Sequence, residues 1–561
     1  MSDGKDGVGV EFDVPAAMRD GVTLRANVYR PEGSGPWPTL LMRTPYGKDS
    51  LGITHFGLDP VQVARRGFVV VVQDTRGRFA SDGEWAPFRF ERLDGYDSVE
   101  WAARLPESSG RVGMCGGSYF GNTQWLAALE RPPSLGAIAP TMTWSDPMDG
   151  LFGRGGAVEL GVDLWWSLLI NAASLERLGL SGEELGRRAD ALLADFDRLD
   201  EDGYWALPVG DGEVLRRHGV GDVDLGGISV LADPEVAERC RVAGAHHRVE
   251  VPSFHVAGWY DNALQGTLDN YATMTALGRE ARLVAGPWTH LTFADPIGDR
   301  VFGVRATRDE LPVHAGRDLA GLQLAWFRRQ LEGDEDVELP ETPVRIFVMG
   351  RNEWRDEPSW PLERAVEEQW FLRAGGSVTA EGPGVGERPS EFAYDPADPV
   401  PTVGGHAVMT AAHPPGPRDQ AAVEAREDVL VFTSDPLQED VEVTGRVRVV
   451  LHAESSAPST DWVARLCDVH PDGRSINLCD GILRVEQDAQ ACRRYEIDLW
   501  STSNVFLRGH QLRVHVTSSS FPRWDRNLNT GKQHERTYEV ARQRIHHDTD
   551  RPSCVVLPVV R

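Results

Sequence analysis

The rhythm of apolar and polar residues changes three times along this chain. In the first 145 residues short apolar runs end in polar turns, as at 39–42 and 68–72. Runs of this length without alternation suit strands covered on both faces. Met18-Arg19-Asp20-Gly21-Val22-Thr23-Leu24 carries an Asp-Gly turn before an alternating stretch, so residues 10–47 are expected to hold paired strands. Helical segments are predicted at 60–66, at 93–105 and from 122 onward. Strands alternating with helices imply a parallel sheet with covered faces, and ligands on such sheets sit at the carboxyl ends of strands.

From about 146 to 244 the strand signals fade. Ser181-Gly182-Glu183-Glu184 resembles a capping box, and Leu185, Ala189, Leu192, Leu193, Phe196 and Leu199 then recur at helical spacing. A second helix, rich in aromatic and aliphatic residues, is predicted at 164–172. This block reads as a helical insertion folded over the sheet as a cap; a separate helical domain is the alternative. The sheet pattern resumes at 251–258 and 282–286, with a closing helix at 319–331. Beyond 351 helix signals nearly vanish, and residues 375–425 read as long loops. From 429 short alternating segments and the Pro471-Asp472-Gly473 turn indicate a β-sandwich, in the manner of a jelly roll. The expected fold is therefore α/β: a sheet domain at 1–145 and 245–350, a helical cap at 146–244, and an all-β domain at 351–561. A chain of 561 residues is too long for a single core, which agrees with that division.

Charge removes several function classes. Asp and Glu number 85 against 58 Lys and Arg, for a net charge of −27, and such a surface repels nucleic acid and anionic lipid. No apolar run approaches the ~20 residues of a membrane span. The first ten residues, MSDGKDGVGV, show neither a basic nor an apolar leader region, and the six cysteines are scattered without a Cys-x-x-Cys pair. A cytoplasmic, reducing setting is expected. No ligand-spaced His or carboxylate cluster stands at the predicted strand ends, so neither a metal nor a cofactor is expected.

The chemistry centres on Gly116-Gly117-Ser118-Tyr119-Phe120-Gly121, which follows the apolar run 112–115. A serine between glycines at a strand-to-helix turn is a near relative of the nucleophile elbow, with the second glycine one position late. A serine hydroxyl needs a base, and the base needs an acid that orients it. Asp261 and His290 follow two later predicted strands, in the chain order Ser, Asp, His. Asp269, in a predicted helix, is the weaker rival acid. The Tyr119 N–H is the expected oxyanion donor next to the nucleophile. Tyr46, in a Pro-Tyr-Gly turn after an early strand, is either a second donor or a packed surface tyrosine.

These segments, with Arg43-Thr44-Pro45-Tyr46-Gly47-Lys48, Gln73-Asp74-Thr75-Arg76-Gly77, Gly258-Trp259-Tyr260-Asp261 and Gly286-Pro287-Trp288-Thr289-His290, resemble the CocE/NonD hydrolases of the X-Pro dipeptidyl-peptidase group. The resemblance continues through Asn352-Glu353-Trp354-Arg355 and Ser501-Thr502-Ser503-Asn504-Val505-Phe506, and so spans nearly the whole chain. It implies an α/β-hydrolase domain, a cap and a C-terminal jelly roll. It also implies a Ser118–Asp261–His290 triad, with Tyr46 sharing the oxyanion hole. The family divides into peptidases, α-amino acid ester hydrolases and esterases of neutral acyl groups. In the second kind acidic residues follow the triad aspartate, whereas here Asn262, Ala263 and Leu264 do. Trp165, Trp166, Leu151 and Phe152 are the expected acyl pocket, with Trp166 matching a cap tryptophan of the family. A small-molecule ester is the expected substrate. X-Pro peptidase or amide and α-amino acid ester acylase activity is the alternative, and a homodimer is left open. From a different class, a carbohydrate-binding protein with an inactive hydrolase domain would also carry a β-sandwich.

Overall fold

The computed structural model describes residues 7–50, 52, 57–218, 226–308, 318–486, 491–532 and 535–561. The N-terminal half is built on a ten-stranded sheet, counted among the described residues. Its strands are β1 (Val8–Ala17), β2 (Thr23–Pro31), β3 (Trp37–Thr44), β4 (Val69–Asp74), β5 (Ser108–Gly117), β6 (Leu135–Thr141), β7 (Ser253–Tyr260), β8 (Ala281–Thr289), β9 (Val344–Val348) and β10 (Glu353–Glu357). Their order is β1-β2-β4-β3-β5-β6-β7-β8-β9-β10. The inner strands from β4 through β9 run parallel, while β1, β2 and β10 close the edges in antiparallel fashion.

Burial explains the plain apolar runs. All six residues of β4 and all seven of β6 are buried, because helices cover both faces. Among the described residues, the α-helices of six or more residues are α1 (Pro60–Arg65), α2 (Glu91–Ala103), α3 (Tyr119–Leu129), α4 (Leu160–Ala172), α5 (Gly182–Asp197), α6 (Leu264–Ala276) and α7 (Leu319–Glu332). The structure departs from the sequence reading at several boundaries: α4 begins at Leu160, four residues before the expected 164, and α2 spans Glu91–Ala103 where 93–105 is expected. α3 begins at Tyr119 instead of 122, because the turn into it is a single residue and Gly121 lies inside the helix. A Cβ on Gly121 would come within 2.8 Å of the Thr143 side chain, so this glycine lets the helix sit close on the chain beyond β6. The sheet also runs past the boundary expected at 350, since β10 pairs with β9 from Glu353 to Glu357.

The cap packs on two sides. Leu160, Leu164 and Leu168, four residues apart on α4, join Leu192 of α5 in a separate apolar cluster that includes Phe521 from the C-terminal domain. Val162, Trp166 and Ile170, on another face of the same helix, belong to the large core that runs from the sheet domain into the β domain. At α5 the Ser181 hydroxyl accepts from the Glu184 N–H at 3.3 Å, which is one half of the predicted box; the Glu184 carboxylate pairs with Arg188 instead.

From Ala365 onward the chain is predominantly β, with eleven strands hydrogen-bonded together among the described residues; the stretch 375–425, expected as loops, holds strands Ser377–Thr379 and Ser390–Tyr394 and a one-turn helix at Ala421–Glu424. The predicted turn at 471–473 joins strands Ser459–Val469 and Ser475–Glu486, which pair antiparallel. Glu159 at the start of α4, with Arg523 and Asp480 of the β domain, forms a fully buried ionic cluster, Arg523 Nη1 lying 2.8 Å from Asp480 Oδ1. No helix among the described residues is long and apolar enough to cross a membrane, and none of the six cysteines is in a disulfide.

Candidate active site

Ser118 occupies the one-residue turn between β5 and α3, at φ 57° and ψ −125°. Such a backbone is strained for a side-chain-bearing residue and lifts Oγ away from the sheet. Gly116, at φ 123°, makes room for the turn: a Cβ there would meet the Phe120 side chain at 2.7 Å. The serine amide is tied down to Thr141 O at 2.9 Å.

Sheet register supplies the other two groups. β7 and β8 are parallel neighbours with Tyr260 opposite Thr289, so the next residues, Asp261 and His290, emerge side by side. His290 Nδ1 lies 2.6 Å from Asp261 Oδ1, and His290 Nε2 lies 3.0 Å from Ser118 Oγ. Asp261 is fully buried; Ser118 is 7% and His290 8% exposed. The rival Asp269 is engaged elsewhere, with the Gln265 side chain at 2.7 Å and Arg446 at 3.5 Å.

Tyr46 sits beyond the carboxyl end of β3. Its N–H donates to Thr44 Oγ1 at 3.0 Å, and the Lys48 N–H donates to Asp74 Oδ1 at 2.7 Å. The ring stacks on Phe120, with centroids 5.7 Å apart, and tilts against Trp166 at 6.5 Å. Burial pushes its phenol far above the ordinary value, against the opposing effect of hydrogen bonds that the phenol oxygen accepts from the Trp166 indole N–H and from Ser118. The hydroxyl therefore keeps its proton through the alkaline range and remains a donor. As pH is raised, the rate should show no decline from phenol ionisation near 10. A Tyr46-dependent alkaline limb, absent in Tyr46→Phe, would contradict this.

Tyr119 divides its roles. Its N–H opens α3, where the first amides have no acceptor within the helix. Its phenol is a core anchor, donating to Glu91 Oε1 at 2.9 Å and accepting from the Phe88 N–H at 3.0 Å. Glu91 in turn pairs with buried Arg43 at 2.7 Å.

A cavity of about 170 Å³ opens beside Ser118 and His290. Leu151, Trp165 and Trp166 line it. Phe152 does not: its ring is turned behind the wall against Phe88, centroids 6.3 Å apart. Consecutive residues here face opposite ways, so only one of the pair reaches the cavity. Trp144, Leu291 and Val408 line it too, although the sequence reading does not include them. The first two carry a signal, since Trp144 lies just beyond β6 and Leu291 follows His290. Val408 carries none, because it comes from the all-β domain. Asn262 also lines the cavity, its amide donating to Gly150 O at 3.0 Å.

The nearest approach to a metal-ligand set among the described residues is distant in sequence from these groups: Asp468, His470 and His510. Arg300 Nη1 lies 2.9 Å from His470 Nε2, and His510 Nδ1 lies 2.7 Å from Asp468 Oδ1. A guanidinium stands where a cation would have to approach, so the cluster is a hydrogen-bond network.

A doubly covered parallel sheet, a serine on a strained strand-to-helix turn, and a histidine and an acid at later strand ends together define an α/β-hydrolase fold. Residues 20–292 match the model of X-Pro dipeptidyl-peptidase (S15 family), and residues 337–556 match the X-Pro dipeptidyl-peptidase C-terminal non-catalytic domain. Cocaine esterase of Rhodococcus sp. (strain MB1 Bresler) is 37% identical over 594 aligned residues, covering 100% of both chains. The chain belongs to the CocE/NonD hydrolases of the X-Pro dipeptidyl-peptidase group. Among solved structures, an aminopeptidase from a marine sediment Thaumarchaeota archaeon superposes with a TM-score of 0.83 at 23% identity, covering 99% of this chain and 96% of that one. An α-amino acid ester hydrolase gives 0.79 at 22%, covering 100% and 98%. Both share the fold.

Proposed function

We propose that this protein is a serine esterase that cleaves carboxylic esters of neutral aromatic or bulky apolar acids through an acyl-enzyme. The observation that carries the reading is the cavity beside Ser118: none of the described residues lining it is Asp, Glu, Lys or Arg. Its size also fits, since an apolar cavity of about 150 Å³ accepts a benzene ring. An amino-acid or peptide N-terminus would bring an ammonium into that space. A buried ammonium without a carboxylate is strongly disfavoured.

Ser118 Oγ attacks the ester carbonyl carbon while His290 Nε2 takes its proton. The Asp261 carboxylate holds Nδ1–H, which keeps Nε2 free as the base and stabilises the imidazolium that forms. Negative charge gathers on the former carbonyl oxygen, toward which the Tyr46 hydroxyl and the Tyr119 N–H are to donate. The imidazolium then returns the proton to the departing alkoxide. Water, deprotonated by the same nitrogen, releases the acid and restores the serine.

Tyr46→Phe should lower kcat for p-nitrophenyl benzoate by about 10²–10³, with little change in KM, because the hydroxyl acts on charge that develops only in the transition state. A near-wild-type kcat would return Tyr46 to a packing role. In a substrate panel, benzoyl and other aryl esters should turn over while Gly-Pro-p-nitroanilide and α-amino acid esters fail. Preference for the ammonium-bearing substrates would overturn the neutral-pocket reading in favour of the peptidase or acylase alternative.

A further inference from the structure

Arg78 lies in the turn after β4 and is 1% exposed. Its neighbour Arg76 is neutralised by two carboxylates, Asp94 at 2.6 Å and Asp20 at 2.8 Å. Arg78 is held instead by three uncharged oxygens. Nε donates to Pro45 O at 2.8 Å, Nη2 to Ile170 O at 3.1 Å, and Nη1 to Ser174 Oγ at 2.6 Å. The guanidinium also sits over the Trp85 ring, 4.9 Å from its centroid, and 5.2 Å from that of Phe79. Burial draws its pKa down to about 10, which leaves it charged near neutrality.

Asp74 attracts the guanidinium at longer range, but a buried cation with no carboxylate hydrogen-bonded to it is costly to keep, so what its donors join is informative. Pro45 O belongs to the peptide unit that leads into Tyr46. Ile170 O is in the last turn of α4, where carbonyls lack intrahelical donors and carry the negative end of the helix dipole. Ser174 lies just past that helix. One planar fork therefore ties the turn bearing Tyr46 to the C-terminal end of the cap helix that bears Trp166. A lysine, with a single ammonium, does not reproduce this geometry.

We propose that Arg78 is a positioning residue that makes the seating of the Tyr46 hydroxyl depend on the docking of the cap helix. The inference rests on Tyr46 acting as an oxyanion donor. Misplacing a catalytic group by about 1 Å can cost up to ~10²-fold, so the link has a kinetic consequence.

A double-mutant cycle on kcat for p-nitrophenyl benzoate tests it, with thermal unfolding as the check on folding. Arg78→Met should lower kcat by about tenfold or more in the Tyr46 background and by less than about twofold in the Tyr46→Phe background. If Arg78→Met does not fold, Arg78→Lys serves in the same cycle with the same expectation. An equal loss in both backgrounds would show a general structural effect and overturn the proposal, as would no loss with Tyr46 present. If Tyr46→Phe alone leaves kcat intact, the oxyanion reading itself fails, and this inference falls with it for that separate and recognisable reason.

Discussion

Ser118→Ala should lower kcat for an aryl ester by on the order of 10⁶, leaving only the residual ~10³–10⁴-fold over water that substrate binding and the oxyanion donors supply. The expectation follows from the number of groups able to attack. Ser118 Oγ is the hydroxyl within 3.0 Å of His290 Nε2, on a backbone turn whose strain serves to present it. The phenol of Tyr46 is pushed far above its ordinary pKa and supplies no phenolate to attack in its place. Cys115, just before the Gly116-Gly117 pair, is buried in β5 with its thiol pushed up to about 12, so it offers no thiolate either. The alanine variant should keep its thermal unfolding midpoint or gain slightly, because the strained turn loses only a hydroxyl. A variant that keeps its fold and retains more than about 1% of the wild-type rate would mean that another nucleophile operates.

Asp261→Asn should cost about 10⁴ in kcat with little change in KM. Asp261 is wholly buried, and its Oδ1 accepts from His290 Nδ1 at 2.6 Å. An asparagine amide fits the same volume but can turn its NH₂ toward Nδ1. The proton then moves to Nε2, where it blocks the acceptance of the serine proton. Geometry is preserved while the tautomer is wrong, so the fold is expected to survive and the chemistry is not. A loss of less than about tenfold would mean that Asp261 does not set the tautomer of His290. Asp269 could not take over that task without leaving Gln265 and Arg446.

Much of the fold and site is legible in the sequence, and the reasons differ from residue to residue. The run Val69–Val72 is buried on both faces, so its monotony reveals a central strand directly. The order Ser118, Asp261, His290 is legible because each follows a strand, and parallel strands end on the same rim. The start of α3 is hidden because Gly121 resembles a helix breaker, while its purpose is contact with Thr143. Phe152 falls outside the cavity it is expected to line because two adjacent apolar residues give no sign of which one faces inward. Val408 and Arg78 act across long sequence separations, through domain packing and through an arginine fork that joins the Tyr46 turn to the cap. Such contacts leave no local periodicity to read.

The central claim is that Ser118 carries the acyl group between its arrival and its release. Intact-protein and peptide mass spectrometry after rapid acid quench of a p-nitrophenyl benzoate reaction measures this directly. One benzoyl adduct per chain is predicted, on the peptide containing Ser118 and absent from the Ser118→Ala variant. An adduct on a different residue, or steady turnover by a variant lacking that hydroxyl, would contradict it.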